Sequence, residues 1–152
     1  MKRILTAALI GFASLSVVAP VAANAADPIS TGRFNNVAVG GYDVVSLFEG
    51  NGEGVEGSKD YTTEYQGAEW RFTDAASLAK FEADPASYMP EYGGYCAWAL
   101  ASGNLAWGNP ENANMVDGKL YLNYNDAIER RWLADVPGFI EAADAEWPEV
   151  LN

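Results

Sequence analysis

The sequence contains no histidine and a single cysteine, Cys96. Without histidine, neither a Ser-His-Asp triad nor a Cys-His pair can form, and no imidazole is available to bind zinc or copper. No side chain with an ordinary pKa near neutrality remains to carry protons. One cysteine cannot form an internal disulfide, so the stability of a small domain must come from its core. We therefore expect a protein that is not an enzyme.

The first 25 residues have the pattern of a cleavable secretory signal. Met1-Lys2-Arg3 is positively charged, residues 4–19 carry no charge, and Ala23-Asn24-Ala25 is a small-x-small cleavage site. The apolar run is shorter than the roughly 20 residues that a membrane-spanning helix needs. We expect cleavage after Ala25, no membrane anchor after cleavage, and a mature protein in the periplasm or secreted from the cell.

Basic residues are scarce in the remaining chain. The whole sequence has 9 Lys and Arg against 21 Asp and Glu, and Lys2 and Arg3 leave with the signal. The mature chain then has 7 basic residues and a net charge of −14. Such a surface repels nucleic-acid phosphates and anionic lipid. We expect no nucleic-acid partner, and the composition does not identify a protein partner.

The mature chain has the length of one domain in which short hairpins and short helices are mixed. Residues 26–36 are polar without periodicity and predict a mobile leader, followed by a domain over 37–152. Two hairpins are predicted, around Gln66-Gly67 and around Asp117-Gly118. Helices are predicted from Ala75, over 95–101, after Asn125 and from Pro137, and residues 105–113 are predicted as a loop. No internal repeat is evident, and the fold class is α+β.

Two stretches of this sequence resemble a known family. The first runs Tyr65-Gln66-Gly67-Ala68-Glu69-Trp70-Arg71-Phe72, then Leu78 to Phe81, then Asp84-Pro85-Ala86-Ser87-Tyr88, and is similar to the YHS domain. The second, Tyr92-Gly93-Gly94-Tyr95-Cys96-Ala97 with Gly41-Tyr42-Asp43-Val44 upstream, looks like a group of exported bacterial YHS-domain proteins. The resemblance spans about residues 37–151 and implies a YHS-like fold of small hairpins and helices.

Metal-binding YHS proteins carry a ligand set that this chain lacks. The resemblance places two of their cysteines at Thr73 and Ser77, and a third near 40–43. The histidine that names the motif is absent as well. The resemblance therefore implies the scaffold and does not imply the family's metal site.

Cys96 is the leading candidate for a binding site, because a thiol is both a nucleophile and a soft metal ligand. Its aromatic neighbours Tyr95 and Trp98, together with Tyr42 and Asp43, are the other candidates for a ligand pocket. Met89 and Met115 could assist Cys96 in holding monovalent copper. The alternative is that Cys96 fills the core, as free cysteines often do, within an aromatic interior.

Three functions remain open at this point. The first is an exported, non-enzymatic YHS-like domain that binds a metal ion or small ligand around Cys96. The second is a structural or protein-interaction module whose ancestral metal site is lost. The third, a thiol-based redox protein, is the least favoured, because the sequence offers no resolving cysteine and no evident base.

Overall fold

The computed structural model describes residues 25–152, so the predicted signal peptide lies outside the described residues apart from Ala25. The described chain is a small single α+β domain. Its five α-helices are α1 (Val44–Glu49), α2 (Ala75–Ala83), α3 (Ala97–Leu100), α4 (Asp126–Trp132) and α5 (Val136–Glu146). Its four strands are β1 (Ser58–Tyr65), β2 (Ala68–Phe72), β3 (Asn109–Val116) and β4 (Lys119–Asn123). They form two antiparallel sheets, β1-β2 and β3-β4.

The two turn dipeptides set both hairpins, as the sequence predicts. In each turn the first residue has a positive φ, 49° at Gln66 and 51° at Asp117, and a glycine with a positive φ follows. This is the backbone that a two-residue hairpin turn requires. Asp74 and Asn125 then accept backbone N–H groups of the following helices, which caps α2 and α4 where the sequence places them.

Two local predictions are wrong. The predicted loop over 105–113 contains the start of β3, because Asn109 pairs with Asn123 across a bulge. The predicted helix over 95–101 shortens to α3, because Cys96 is extended and forms a bridge with Leu122.

The two hairpins belong to an internal structural repeat, which the sequence did not reveal. Every pairing of β3 with β4 lies 51 positions after a pairing of β1 with β2: Ser58↔Phe72 corresponds to Asn109↔Asn123, and Tyr65↔Ala68 to Val116↔Lys119. Both hairpins carry the bulge at the same place. Each is followed by a capped helix, α2 or α4. We call 39–83 the N-terminal half and 92–134 the C-terminal half.

The repeat extends to the turns that precede the hairpins. Residues 39–41 have φ angles of 51°, 58° and 86°, and residues 92–94 have 55°, 60° and 85°. Three successive left-handed residues are costly for most side chains, which explains the Gly40-Gly41 and Gly93-Gly94 pairs. A short helix follows each turn, with Asp43 at the N-cap of α1 and Cys96 at the N-cap of α3. Asp43 and Cys96 are therefore equivalent positions.

Each half has its own aromatic core. In the N-terminal half Trp70 stacks on Phe81 with ring centroids 5.1 Å apart, and in the C-terminal half Tyr121 packs on Trp132 at 5.6 Å. Strand β4 joins the two cores because neighbouring strand residues point to opposite faces. Its Leu120 and Leu122 enter the N-terminal core, and Tyr121 enters the C-terminal one.

The segment 26–36, predicted as a mobile leader, lies partly against the domain. Ile29 is buried in the N-terminal core, and the Ser30 amide donates to the Gly93 carbonyl at 2.9 Å. Residues 33–36 are exposed. The longest helix of the described chain, α5, has 11 residues, and none of the described helices combines the length and apolarity needed to cross a bilayer.

Candidate functional site

In the N-terminal half, the side chain of Asp43 forms a hydrogen-bond network between α1 and the end of β2. Its carboxylate is 0% exposed and accepts the backbone N–H groups of Val45 and Ser46 through Oδ1. Its Oδ2 accepts both the backbone N–H and the hydroxyl of Thr73, at 2.9 and 2.8 Å. A buried carboxylate with four donors is fully satisfied, so Asp43 ties α1 to the end of β2 and leaves no oxygen for a ligand.

Cys96 occupies the same position in the C-terminal half with a different environment. It is also 0% exposed, and its backbone N–H donates to the Ala106 carbonyl at 2.8 Å, as that of Asp43 donates to Val55 at 2.9 Å. Its thiol has one polar contact, the Oδ1 of Asn123 at 3.9 Å. The same Oδ1 accepts the backbone N–H of Trp98 at 3.4 Å, so in this half the buried side chain of Asn123 links the end of β4 to the start of α3.

An open cavity of about 200 Å³ lies where the N-terminal half has the Asp43 network. We call it the Cys96 cavity, lined by Cys96, Trp98, Ala99, Ala106, Tyr124 and Ile128. Its wall carries no Asp, Glu, Lys or Arg side chain. Tyr124 follows β4 as Thr73 follows β2, but its ring is 51% exposed and cannot close the site as a threonine hydroxyl does. The cavity thus has an apolar wall beside a thiol.

A second depression adjoins the first. It has a volume of about 560 Å³ and is lined by Gly32, Arg33, Trp107 and Tyr124; we call it the Tyr124 groove. Tyr124 lines both the groove and the Cys96 cavity, and Trp107 follows Ala106 of the cavity wall. Trp107 is 37% exposed, which is unusual for so large an apolar ring. Aromatic rings and one guanidinium therefore line a continuous surface next to the buried thiol of Cys96.

The structure brings together only part of the predicted site. Cys96 and Trp98 line the same cavity. Tyr95 lies beside it in sequence, but its hydroxyl donates to the Asp27 carbonyl at 2.9 Å and its ring packs on Trp147. Burial raises the pKa of Tyr95. Tyr42 lies in the N-terminal half, where its hydroxyl contacts Glu111 at 3.3 Å.

No metal centre is assembled around these residues. Within residues 25–152, no three His, Cys, Asp or Glu side chains lie close enough together to hold a metal ion. Met89 and Met115 both pack against the N-terminal core and neither lines the Cys96 cavity. The single thiol consequently has no soft neighbour with which to share a copper ion.

Sequence reasoning missed Ala99, Ala106, Tyr124 and Ile128 as cavity residues. The signal that could have found Tyr124 and Ile128 is the 51-residue offset, since they correspond to Thr73 and Ser77. Few positions in the two halves are identical, so the offset becomes visible only when strand pairing is known. No protein-family model, curated protein or solved structure matches this chain.

Proposed function

We propose that the protein is a non-enzymatic binding domain, exported as its N-terminal sequence predicts, that holds a small apolar or aromatic ligand at the Cys96 cavity. One observation carries the proposal. The two halves share a backbone, yet the position that Asp43 and Thr73 close in one half is an open apolar cavity in the other. Binding sites are concave and mostly apolar, with few polar groups.

The resemblance to YHS domains supports the same location. It assigns metal ligands to Thr73, Ser77 and a position within 40–43. The counterparts of Thr73, Ser77 and Asp43 in the C-terminal half are Tyr124, Ile128 and Cys96, and all three line the Cys96 cavity. We propose that this domain is YHS-like and that its C-terminal half uses the structural counterpart of that metal position for an uncharged, apolar contact surface.

A metal ion is the less favoured ligand of the Cys96 cavity. Zinc and monovalent copper need several thiolate, imidazole or thioether ligands, and one thiol competes poorly with water and cellular thiols. The wall residues other than Cys96 offer only aromatic, aliphatic and phenol groups. An apolar organic ligand therefore fits this wall better than a cation does.

Native mass spectrometry of the protein purified from its own cells tests the proposal. We expect a small-molecule adduct on the wild type. Ala99→Leu places three more carbons in the cavity wall and should remove the adduct. The matched control is Ala127→Leu, the same substitution at an exposed position of α4, which should retain it.

The outcomes separate the candidate functions. A metal adduct lost in Cys96→Ser would support the metal-binding form instead. A wild type without any adduct would favour the structural or protein-interaction module, which is also consistent with the satisfied carboxylate of Asp43. A redox role requires a reachable thiol, and the 0% exposure of Cys96 predicts that thiol reagents label it only slowly before unfolding.

A further inference from the structure

Only some of the Lys and Arg side chains that the structure describes in this acidic protein are in ion pairs. Within residues 25–152 there are three ion pairs: Arg71 with Glu69, Lys80 with Glu49, and Lys119 with Glu91. The remaining cations of this part of the chain, which are in no ion pair, are Arg33, Lys59, Arg130 and Arg131. Their location therefore indicates where the surface can attract an anion.

Two of these four cations flank the aromatic surface next to the buried Cys96. Arg33 lines the Tyr124 groove. The guanidinium carbon of Arg131 lies 5.7 Å from the centre of the Trp98 ring, within cation–π distance. Arg131 is three residues after Ile128 on α4, so the two share a helix face, and Ile128 lines the Cys96 cavity. A guanidinium stacked on a ring keeps its N–H edge available for an anion.

The two acidic side chains of α4 are hydrogen-bonded to asparagines of β3. Asp126 accepts the Asn112 amide at 2.9 Å, and Glu129 accepts the amides of Asn112 and Asn114 at 3.2 and 2.6 Å. These bonds hold both carboxylates against β3. They leave Arg131 without a carboxylate partner at the rim of the Cys96 cavity.

We propose that the ligand of this site is a small organic anion with an aromatic or planar apolar body. The inference rests on the proposed function and adds the charge of the ligand. The body lies against Trp98 and Tyr124 in the Cys96 cavity, where apolar contact and ring stacking hold it. The negative group faces the guanidinium of Arg131, and Arg33 adds a second positive charge along the groove. The acidic remainder of the surface repels the same anion, which confines binding to this place.

Two fluorescent probes with the same ring system test the charge requirement. Anilinonaphthalene sulfonate carries one negative charge, and N-phenyl-naphthylamine is its uncharged counterpart. We expect the anionic probe to bind the wild type at least about tenfold more tightly, an advantage of about 1.4 kcal/mol. Arg131→Gln should weaken the anionic probe about tenfold and the neutral probe less than about twofold. Arg33→Gln should act in the same direction with a smaller effect.

Lys59→Gln is the matched control, because it removes the same charge from an exposed, unpaired cation of β1. It should change the affinity of neither probe. Equal binding of both probes, or an anionic affinity that Arg131→Gln leaves unchanged, overturns the charge inference. If both probes bind equally and Ala99→Leu abolishes both, only the charge inference fails and the proposed function stands. If neither probe binds, or Ala99→Leu affects neither, both fail.

Discussion

The N-terminal and C-terminal halves have the same backbone plan and different interiors at the same place. In the N-terminal half, Asp43 and Thr73 join α1 to the end of β2 through a buried carboxylate with four donors. In the C-terminal half, Cys96 and Tyr124 occupy these positions without contacting each other by a hydrogen bond, and a cavity of about 200 Å³ remains. The polar link between the short helix and the second strand comes from Asp43 in the N-terminal half and from Asn123 in the C-terminal half.

The difference also underlies our proposal that one half serves as scaffold and the other as binding site. A satisfied buried charge fixes its neighbours in one geometry, because each lost donor costs free energy. At the equivalent positions of the C-terminal half, the thiol and the tyrosine ring form no such network. Asn123 Oδ1 supplies two longer contacts instead, 3.9 Å from the Cys96 sulfur and 3.4 Å from the Trp98 nitrogen. The C-terminal half therefore relies on its aromatic core, Tyr92, Tyr121 and Trp132, and on α5, which has no counterpart in the N-terminal half.

The largest expected effect tests whether the two aromatic cores contribute equally to the free energy of unfolding. Phe81 and Trp132 are equivalent and buried, at 1% and 0% exposure. Phe81→Ala and Trp132→Ala should each lower the free energy of unfolding by about 3–5 kcal/mol, the usual cost of truncating a buried ring. Urea denaturation measures both. A midpoint that moves for only one variant would show that one half does not depend on its own core.

The next largest effect tests the hydrogen bonds that the Asp43 carboxylate accepts from α1 and Thr73. Asp43→Ala removes a helix cap and leaves the Thr73 donors buried without an acceptor, so it should cost about 3 kcal/mol. Cys96→Ala at the equivalent position removes one sulfur atom and should cost about 1 kcal/mol. Equal losses in urea denaturation would contradict the view that the residue at this position carries the main polar link only in the N-terminal half.

Alkaline pH should act mainly on the C-terminal half, because the most deeply buried phenols, Tyr92 and Tyr121, belong to its core. Burial raises the pKa of Tyr121 from 10.0 to about 12. Burial and the hydrogen bond from its hydroxyl to Asp144 at 2.8 Å raise the pKa of Tyr92 further. Above pH 10 the unfolded chain loses these protons first, so stability is complete below pH 10 and falls as pH rises toward 12.

The measurable quantity is the slope of the free energy of unfolding against pH. Each tyrosine should lower the free energy of unfolding by at most about 1.4 kcal/mol per pH unit in this range. Urea midpoints recorded from pH 8 to 12 give the slope, and Tyr92→Phe should reduce it, since it removes one of the contributing phenol protons. An unchanged slope in Tyr92→Phe would show that Tyr92 titrates normally in the folded state.

The smallest effect compares the residues that follow the two hairpins. Thr73→Val removes the hydroxyl donor of Asp43 and should cost about 1–2 kcal/mol. Tyr124→Thr changes a half-exposed ring and should shift stability by no more than about 0.5 kcal/mol. Thermal or urea unfolding measures both. A Tyr124→Thr cost as large as that of Thr73→Val would mean that Tyr124 supports the fold rather than lining a site.

Local sequence signals were sufficient for most of the fold. Gln66-Gly67 and Asp117-Gly118 predicted both hairpin turns, and Asn125 predicted the cap of α4. The sequence offered Thr73 or Asp74 as the cap of α2, and Asp74 forms it. These features depend on residues a few positions apart, whose backbone preferences act in any context. The start of β3 at Asn109 was missed because it depends on pairing with Asn123 across the domain.

The candidate site was predicted only in part. Cys96 and Trp98 were identified from residue type and do share a cavity. Asp43 was expected to serve a ligand, but its four donors come from α1 and from Thr73, which lies 30 positions away. The role of a buried carboxylate is decided by which donors reach it, and a single sequence does not contain that distance.

The sequence by itself determined the α+β class, the hairpin turns, the helix caps and the absence of histidine chemistry, because each follows from residue identity or from neighbours along the chain. Only the tertiary structure decided that two halves repeat, that Asp43 closes one and Cys96 opens the other, and that Arg33 and Arg131 flank the same aromatic surface. Those facts depend on which distant segments pack together, and packing is a property of the whole folded chain rather than of any stretch of it.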